Sequence, residues 1–559
     1  MSEHAPAAEP ARADAAGAGP ALEGHPRRWA ILGVLVVSLL IVVLDNTVLN
    51  IALPTIQRDL SATQSQLVWS VDSYILVFAA LLFTWGVLGD RFGRKRILLT
   101  GLAGFALGSA LSSIATSPAQ LIGFRALMGI GGAAVIPVTL AIITVIFPPA
   151  ERGRAIGAWA GAVGGAVALG PVIGGLLLQN PQWFHWLIHN DWGSVFLINV
   201  PIVAIGAVGI VRLVPESRNP NPQRLDVLGL LLSIAGMTVL VYGIIHAGDT
   251  RDWLAPSVVW PIVIGALVLT LFVWLEKRSD HKSFDVTLFS NRGFAVSLAT
   301  VSLVFFAMSG VIFTFPFYLQ VVRGLSTLEA GFCFLPFALG QLLSAPRSGQ
   351  LVDRFGVRKV LIAGLVAVLA SLVALAFLQR GTSLVWLLAI FVLFGLGMGC
   401  VIAPASTVMQ NTLPLARAGA GSAVQNTVRQ VFGALGVAII GTVLANQYAN
   451  HLAPTLNALP PAVPAVLRDA VSSSVAAVPA SLARAQQAGL PASVASTLRD
   501  GAFDAYVQAS HVATWISVGM AALALVIVVA MLPRHISVHR TEPQGNAGTG
   551  TEAAAAHAG

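Results

Sequence analysis

The sequence predicts an all-α integral membrane fold of 14 transmembrane helices, built as two six-helix halves with two further helices inserted between them. Three observations lead there. Charged residues make up only 10% of the 559-residue chain and hydrophobic residues 56%, whereas a soluble domain carries about 25% charged residues. The apolar residues fall in runs of about 20, the length a helix needs to cross a hydrocarbon core of roughly 30 Å. Finally, one basic, glycine-containing loop occurs twice, at a constant offset of 263 residues.

The first half, residues 29–214, holds the runs Trp29 to Leu53, Leu67 to Leu88, Ile97 to Ala115, Ala119 to Phe147, Ala155 to Leu178 and Ser194 to Val214. The third and fourth are joined by a short turn at Ser117-Pro118. The inserted pair, within residues 226–275, runs from Asp226 to His246 and from Ser257 to Leu275. The second half, 294–532, holds Phe294 to Tyr318, Leu328 to Gln350, Val357 to Leu378, Leu384 to Met409, Gly421 to Ala445 and Val512 to Leu532. A long segment, 446–510, rich in Ala, Pro and Ser, is expected as an external loop with short surface helices such as Ala480 to Gly489. The ends, 1–28 and 533–559, are rich in small and polar residues. They cannot bury a core and are expected as disordered cytoplasmic tails. The first apolar run lacks a small-residue cleavage site, so it does not read as a signal peptide.

Basic residues orient the chain. Arg91, Arg94, Lys95, Arg96, Arg152, Arg154, Arg212, Arg218, Arg224, Lys277, Arg278, Lys282, Arg292, Arg354, Arg358, Lys359 and Arg417 share one side, whereas Arg58, Arg251, Arg323 and Arg380 are thinly spread on the other. The positive-inside rule places the first set, and both termini, in the cytoplasm. The net charge of +8 is thus explained by membrane topology, and no nucleic-acid partner is expected. Cys333 and Cys400 lie inside apolar runs and form neither a metal site nor a disulfide framework.

The duplicated loop reads Gly86-Val-Leu-Gly-Asp90-Arg91-Phe92-Gly93-Arg94 in the first half and Gly349-Gln-Leu-Val-Asp353-Arg354-Phe355-Gly356 in the second. Each copy follows the second span of its six-span half. Parallel halves of this kind are a transporter architecture. In the first copy, Asp90 is expected to cap a helix across the two halves. Arg91 and Arg94 are expected to pair with acids such as Glu151, holding an inner gate shut.

Charged groups in the membrane are costly and mark function by default. Asp45 lies about eight residues, or roughly 12 Å, from the outer end of the first span, and Arg125 roughly 9 Å into the fourth from the same side. Asp72 opens the second span at a similar depth. A buried carboxylate near a guanidinium titrates according to whether the pair is made or broken. A conformational cycle that does both would load and release protons. Asp72 has two roles open to it, a cavity acid or a helix N-terminal acid favoured by the dipole. Arg429, flanked by Gln425, Asn426 and Gln430, lines a cavity or binds a carbonyl at a helix break. The fifth span carries Gly157, Gly161 and Gly165, then Gly170-Pro171-Val-Ile-Gly174-Gly175. Small residues admit close helix approach and proline bends the helix.

These segments resemble the major facilitator superfamily over nearly the whole chain. The repeated loop resembles its motif A. Leu121-Ile-Gly-Phe-Arg125-Ala-Leu-Met128-Gly129 resembles motif B, with Met128 where the family usually has Gln. Gly170-Pro171-x-x-Gly174-Gly175 resembles motif C, the antiporter signature, with Ala166 at a usual glycine. Leu44-Asp45-Asn-Thr-Val-Leu-Asn-Ile-Ala-Leu-Pro54, Trp69-Ser-Val-Asp72-Ser-Tyr74 and Phe196-Leu-Ile-Asn199-Val-Pro201 are similar to the fourteen-helix drug:proton antiporter branch, the QacA/EmrB type. There the usual Trp-Arg-Trp is replaced by Trp192-Gly193-Ser194.

The resemblance implies a major facilitator fold and a monomeric, proton-coupled antiporter. It would export amphipathic, cationic drugs or toxic compounds across the cytoplasmic membrane by alternating access, energised by the proton gradient and without a cofactor. Export of a lipid or endogenous metabolite, or nutrient:proton symport, are the alternatives. The antiporter-like segment and Asp45 favour export. No nucleotide loop, His-Glu-x-x-His site or Gly-x-Ser-x-Gly elbow is present, so no enzyme activity is expected.

Overall fold

The structure, a computed structural model, describes residues 25–219, 226–278, 286–412, 418–460 and 463–533. Most of the two expected tails, together with Arg224, Lys282 and Arg417, lies outside these residues. Among the described residues the chain is helical and has no strand.

Six helices form the first half: α1 (Arg28–Leu60), α2 (Gln64–Phe92), α3 (Arg94–Ser113), α4 (Pro118–Ile146), α5 (Pro149–Gln179) and α6 (Ser194–Leu213). The inserted pair is α7 (Val227–Thr250) and α8 (Pro256–Arg278). The second half comprises α9 (Arg292–Val322), α10 (Thr327–Phe355), α11 (Val357–Leu375), α12 (Leu384–Asn411), α13 (Ala418–Asn457) and α14 (Ala492–Met531). Thirteen of these are long and apolar enough to cross a membrane along their length. In α5 the apolar part is Gly165–Gln179. An even number of spans puts both ends on one side, called here the terminal face; the opposite side is the loop face.

Local sequence sets the helix ends. Thr63 and Gln66 form a reciprocal capping box at the start of α2, as Ser326 and Glu329 do for α10. Ser117 caps α4, and Pro118 sits where its missing N–H costs nothing. Pro137 and Pro336 lack the N–H that would bond back one turn, and α4 and α10 are interrupted just before them. Gly93 (φ +112°) and Gly356 (φ +84°) end α2 and α10 in a left-handed backbone that residues with a Cβ rarely adopt. Both glycines of the repeated loop therefore perform the same turn in the two halves.

Segment 446–510 is mostly helical. α13 continues to Asn457, α14 starts at Ala492, and Ala465–Ser473 and Val478–Gln487 lie between them.

α7 packs against both α2 and α13, one from each half. Thr442 Oγ1 donates to the Ile244 carbonyl at 3.2 Å and Asn446 Nδ2 to the Ala247 carbonyl at 3.0 Å. α8 leans on α7 and only 11% of its apolar window is buried, so its Trp260 and Leu267 are left to lipid. The halves also touch directly near the loop face: Gln320 Nε2 donates to the Ile51 carbonyl at 2.9 Å, and Thr327 Oγ1 to the Gly175 carbonyl at 3.0 Å.

Candidate functional site

Four helices of the first half converge on Asp45. Arg125 of α4 donates to Asp45 Oδ2 through Nη1, and Asn199 of α6 donates to Asp45 Oδ1 at 3.1 Å. Both members of the ion pair are buried, Asp45 at 2% and Arg125 at 0% exposure. The guanidinium makes two further contacts, while its Nη2 is buried without a hydrogen-bond partner. Its Nε donates to the Ser70 carbonyl of α2 at 3.2 Å, and its Cζ lies 4.3 Å from the Tyr74 ring centre. Asn199 Nδ2 additionally lies 3.0 Å from Ser109 Oγ of α3, whose hydroxyl donates to the Phe196 carbonyl. Desolvating two charges costs several kcal/mol per ion, which the direct pairing and these hydrogen bonds offset in part.

Asp72 stands apart from this cluster. It is 0% exposed, and neither carboxylate oxygen has a hydrogen-bond partner. It follows Val68 by one helical turn, and Val68 packs against Gly441 of α13. Asp72 thus lies on the face of α2 that looks across to the second half.

The antiporter-like segment of α5 divides into two parts. A Cβ at Gly170 would collide with Thr47 of α1, and one at Gly174 would come within 3.0 Å of Val48. At Gly175 it would lie 2.5 Å from the Thr327 carbonyl oxygen, and the Pro171 carbonyl leaves no room for a Cβ at Gly331. These glycines let α5 press on α1 and on α10 of the other half. Gly157, Gly161 and Gly165 face open space instead, with nothing within 4 Å of an added Cβ.

The repeated loops differ in their surroundings. Asp90 accepts from Arg94 Nη2 at 2.8 Å and from Asn219 Nδ2, in the link to the inserted pair, at 3.4 Å, in place of the expected cap across the two halves. Glu151 is taken by Arg28, at 2.6 Å from Nε and 2.9 Å from Nη2. The expected Arg94–Glu151 pair is therefore replaced. Asp90 and Arg94 are only four residues apart across the Gly93 turn, while the start of α1 abuts the α4–α5 junction through His25 and Ile146. Gly86 is in ordinary contact with Pro137, and Arg91 is exposed over Phe92. In the second copy Asp353, Arg354 and Gly356 are exposed, with Arg354 over Phe355. Arg429 is not brought to the Asp45 cluster. It is half-buried in α13 with its Cζ 5.0 Å from the Phe305 ring, and its Nε has no hydrogen-bond partner.

Residues 35–437 match the Major Facilitator Superfamily. The chain belongs to that superfamily. It is 35% identical to the multidrug efflux pump LfrA of Mycolicibacterium smegmatis over 87% of this chain and 94% of that protein. It is 36% identical to the tetracenomycin C resistance and export protein of Streptomyces glaucescens over 76% of this chain and 77% of that one. In fold it resembles a bacterial homolog of the human lysosomal transporter Spinster in an inward-facing, occupied conformation. There the TM-score is 0.62 at 18% identity, covering 89% of this chain and 97% of that one.

Departures from the superfamily's usual residues have local reasons. Where the branch has Arg between two tryptophans, Gly193 packs against the Ser113 carbonyl with no room for a side chain. Met128 replaces a polar residue, yet its sulfur takes a place beside Arg125, 3.9 Å from Nη1 and 3.5 Å from Ser112 Oγ. Asn199, Ser109, Ser70 and Tyr74 were not singled out as site residues from sequence. Neutral side chains and a carbonyl carry no burial penalty large enough to flag them. The available signal was Asn199 standing alone among apolar residues of the sixth span.

Proposed function

We propose that the chain is a monomeric, proton-coupled antiporter that exports amphipathic organic cations across the cytoplasmic membrane, with both termini in the cytoplasm. The observation that carries this reading is the buried Asp45–Arg125 pair, braced by Asn199 on the opposite carboxylate oxygen. A proton arriving on Asp45 removes the charge that holds Arg125. Breaking such a pair changes the local energy by about 3–5 kcal/mol. One charge crossing 100 mV supplies about 2.3 kcal/mol, so the two are on the same scale. Asp45 belongs to α1, which packs on the glycine face of α5, and α5 closes the loop face against α10. Protonation is thereby linked to the contact that must open to release cargo. The export activities of the relatives support the direction of transport. The excess of Lys and Arg on the terminal face supports its assignment to the cytoplasm.

Dye efflux in inverted vesicles, with and without a proton gradient, tests the activity. Uptake of lipophilic cations that collapses with the gradient is expected, and gradient-independent uptake would overturn the coupling. Reporter fusions test the topology: one after Gly489 should read external and one after Glu276 cytoplasmic.

A further inference from the structure

A cavity of about 180 Å³ opens on the loop face, lined by none of the Asp45 cluster. Its walls come from Gln64 and Ser65 of α2, Asp249 of α7, Tyr448 of α13, Tyr506 of α14 and Ser474 of the intervening segment. Asp249 accepts from Ser65 Oγ at 2.6 Å through one oxygen. Its other oxygen is 3.8 Å from His246 Nδ1, and the side chain is half exposed. The tyrosine hydroxyls are already committed, Tyr448 to the Val471 carbonyl and Tyr506 to the Thr314 carbonyl, each at 2.8 Å. What reaches the cavity is a small part of each ring: the side chains are 4% and 3% exposed, with centroids 6.4 Å apart and planes at 65°. A carboxylate and aromatic surface lining one cavity is a chemistry that recognises an organic ammonium. That volume admits a small ammonium. The other charged lining group, Arg251, is exposed, where water and salt screen it.

We propose that this cavity is a second ammonium site, reached from outside, whose occupancy holds the loop face closed. The closing step rests on the alternating-access reading above. α2 belongs to one half and α13 and α14 to the other, so the cavity exists only while the halves meet beside Val68 and Gly441. A ligand that binds one state alone shifts the equilibrium toward it by a factor of 1 + [L]/Kd, roughly tenfold at ten times Kd. External small ammonium therefore slows the cycle without competing at Asp45 or Asp72.

The test uses full-length protein in nanodiscs with Cys333 and Cys400 replaced by Ser and a reporter Leu328→Cys beside Gly175. Tetramethylammonium should give saturable binding heat and slow maleimide labelling of the reporter about tenfold at ten times Kd. Asp249→Asn should abolish both effects. Gln64→Glu, which keeps the acceptor for Gln57 and adds a carboxylate, should tighten binding several-fold. Asp72→Asn should leave both effects in place; their loss there would place the ammonium at the central site and overturn the proposal. Unchanged heat and labelling in Asp249→Asn would also overturn it, and binding heat without slowed labelling would overturn the coupling. Choline should act as tetramethylammonium does. If vesicles show no proton-driven efflux while the Asp249-dependent heat persists, the transport reading fails and the ammonium site stands.

Discussion

Asn199 Nδ2 meets Asp45 Oδ1 at 3.1 Å, on the carboxylate oxygen that Arg125 does not use. The two donors come from α6 and α4, so the carboxylate of α1 is held from both sides. Removing one hydrogen bond to a buried charged group costs about 1.5–3 kcal/mol. Asn199→Ala is expected to cut proton-driven efflux by roughly tenfold, while the protein still reaches the membrane in normal amount. Efflux rates normalised to membrane content check this; wild-type rates would remove Asn199 from the site.

The ion pair itself predicts an asymmetry between stability and transport. Arg125→Met leaves Asp45 buried and uncompensated, at about 3–5 kcal/mol. Asp45→Asn leaves the guanidinium in the same position. The double variant removes both charges and is expected to melt above Arg125→Met in detergent. All three are expected to lose energised efflux, because none retains a carboxylate that can exchange a proton for Arg125. A double variant no more stable than the single one would show that the pair is not the main constraint on α1 and α4.

α5 supplies a paired test. Gly175→Ala places a methyl 2.5 Å from the Thr327 carbonyl oxygen, so α5 and α10 must separate at the loop face. Overpacking of this kind costs about 1–3 kcal/mol, which is roughly a five- to hundredfold shift toward the loop-face-open state. Faster maleimide labelling of Leu328→Cys reads that shift. Gly157→Ala enters open space and should label and transport as the parent does. Equal behaviour of the two variants would separate the glycine pattern from gating.

What the sequence made legible follows the strength of each physical signal. Burying a hydrophobic run in lipid is strongly favourable, and all fourteen spans fall on described helices. Their ends were less legible where a helix leaves the membrane. α13 runs on to Asn457 and α14 begins at Ala492, and their polar turns outside lipid look like loop sequence. Asp45 and Arg125 were found by depth alone, since a membrane-buried charge needs a partner at its own level. Asn199 and Ser109, being neutral, gave no such warning. Arg94 was expected to reach Glu151. Which acid meets which arginine depends on how α1 abuts the α4–α5 junction, and helix packing of that kind is not written in a loop motif.

The last prediction concerns cargo charge and rests on Asp72. Both its oxygens are buried without a partner, on the face of α2 that looks toward α13. An uncompensated carboxylate in a low-dielectric site is costly, and a cationic ligand relieves that cost. Arg125 does not cancel it, because its guanidinium is committed to Asp45 and the Ser70 carbonyl. Arg429 is on another helix, over Phe305. The transporter is therefore expected to prefer lipophilic cations over matched anions. A dication needs a second acid, whereas a monocation is served by one. Asp72→Asn is expected to reduce dication efflux by at least tenfold and monocation efflux by less than threefold, a difference of about 0.7 kcal/mol or more. Matched monocationic, dicationic and anionic dyes in the same vesicles make the comparison. Equal loss of both cations, or anion transport at the cation rate, would show that Asp72 does not select cargo by charge.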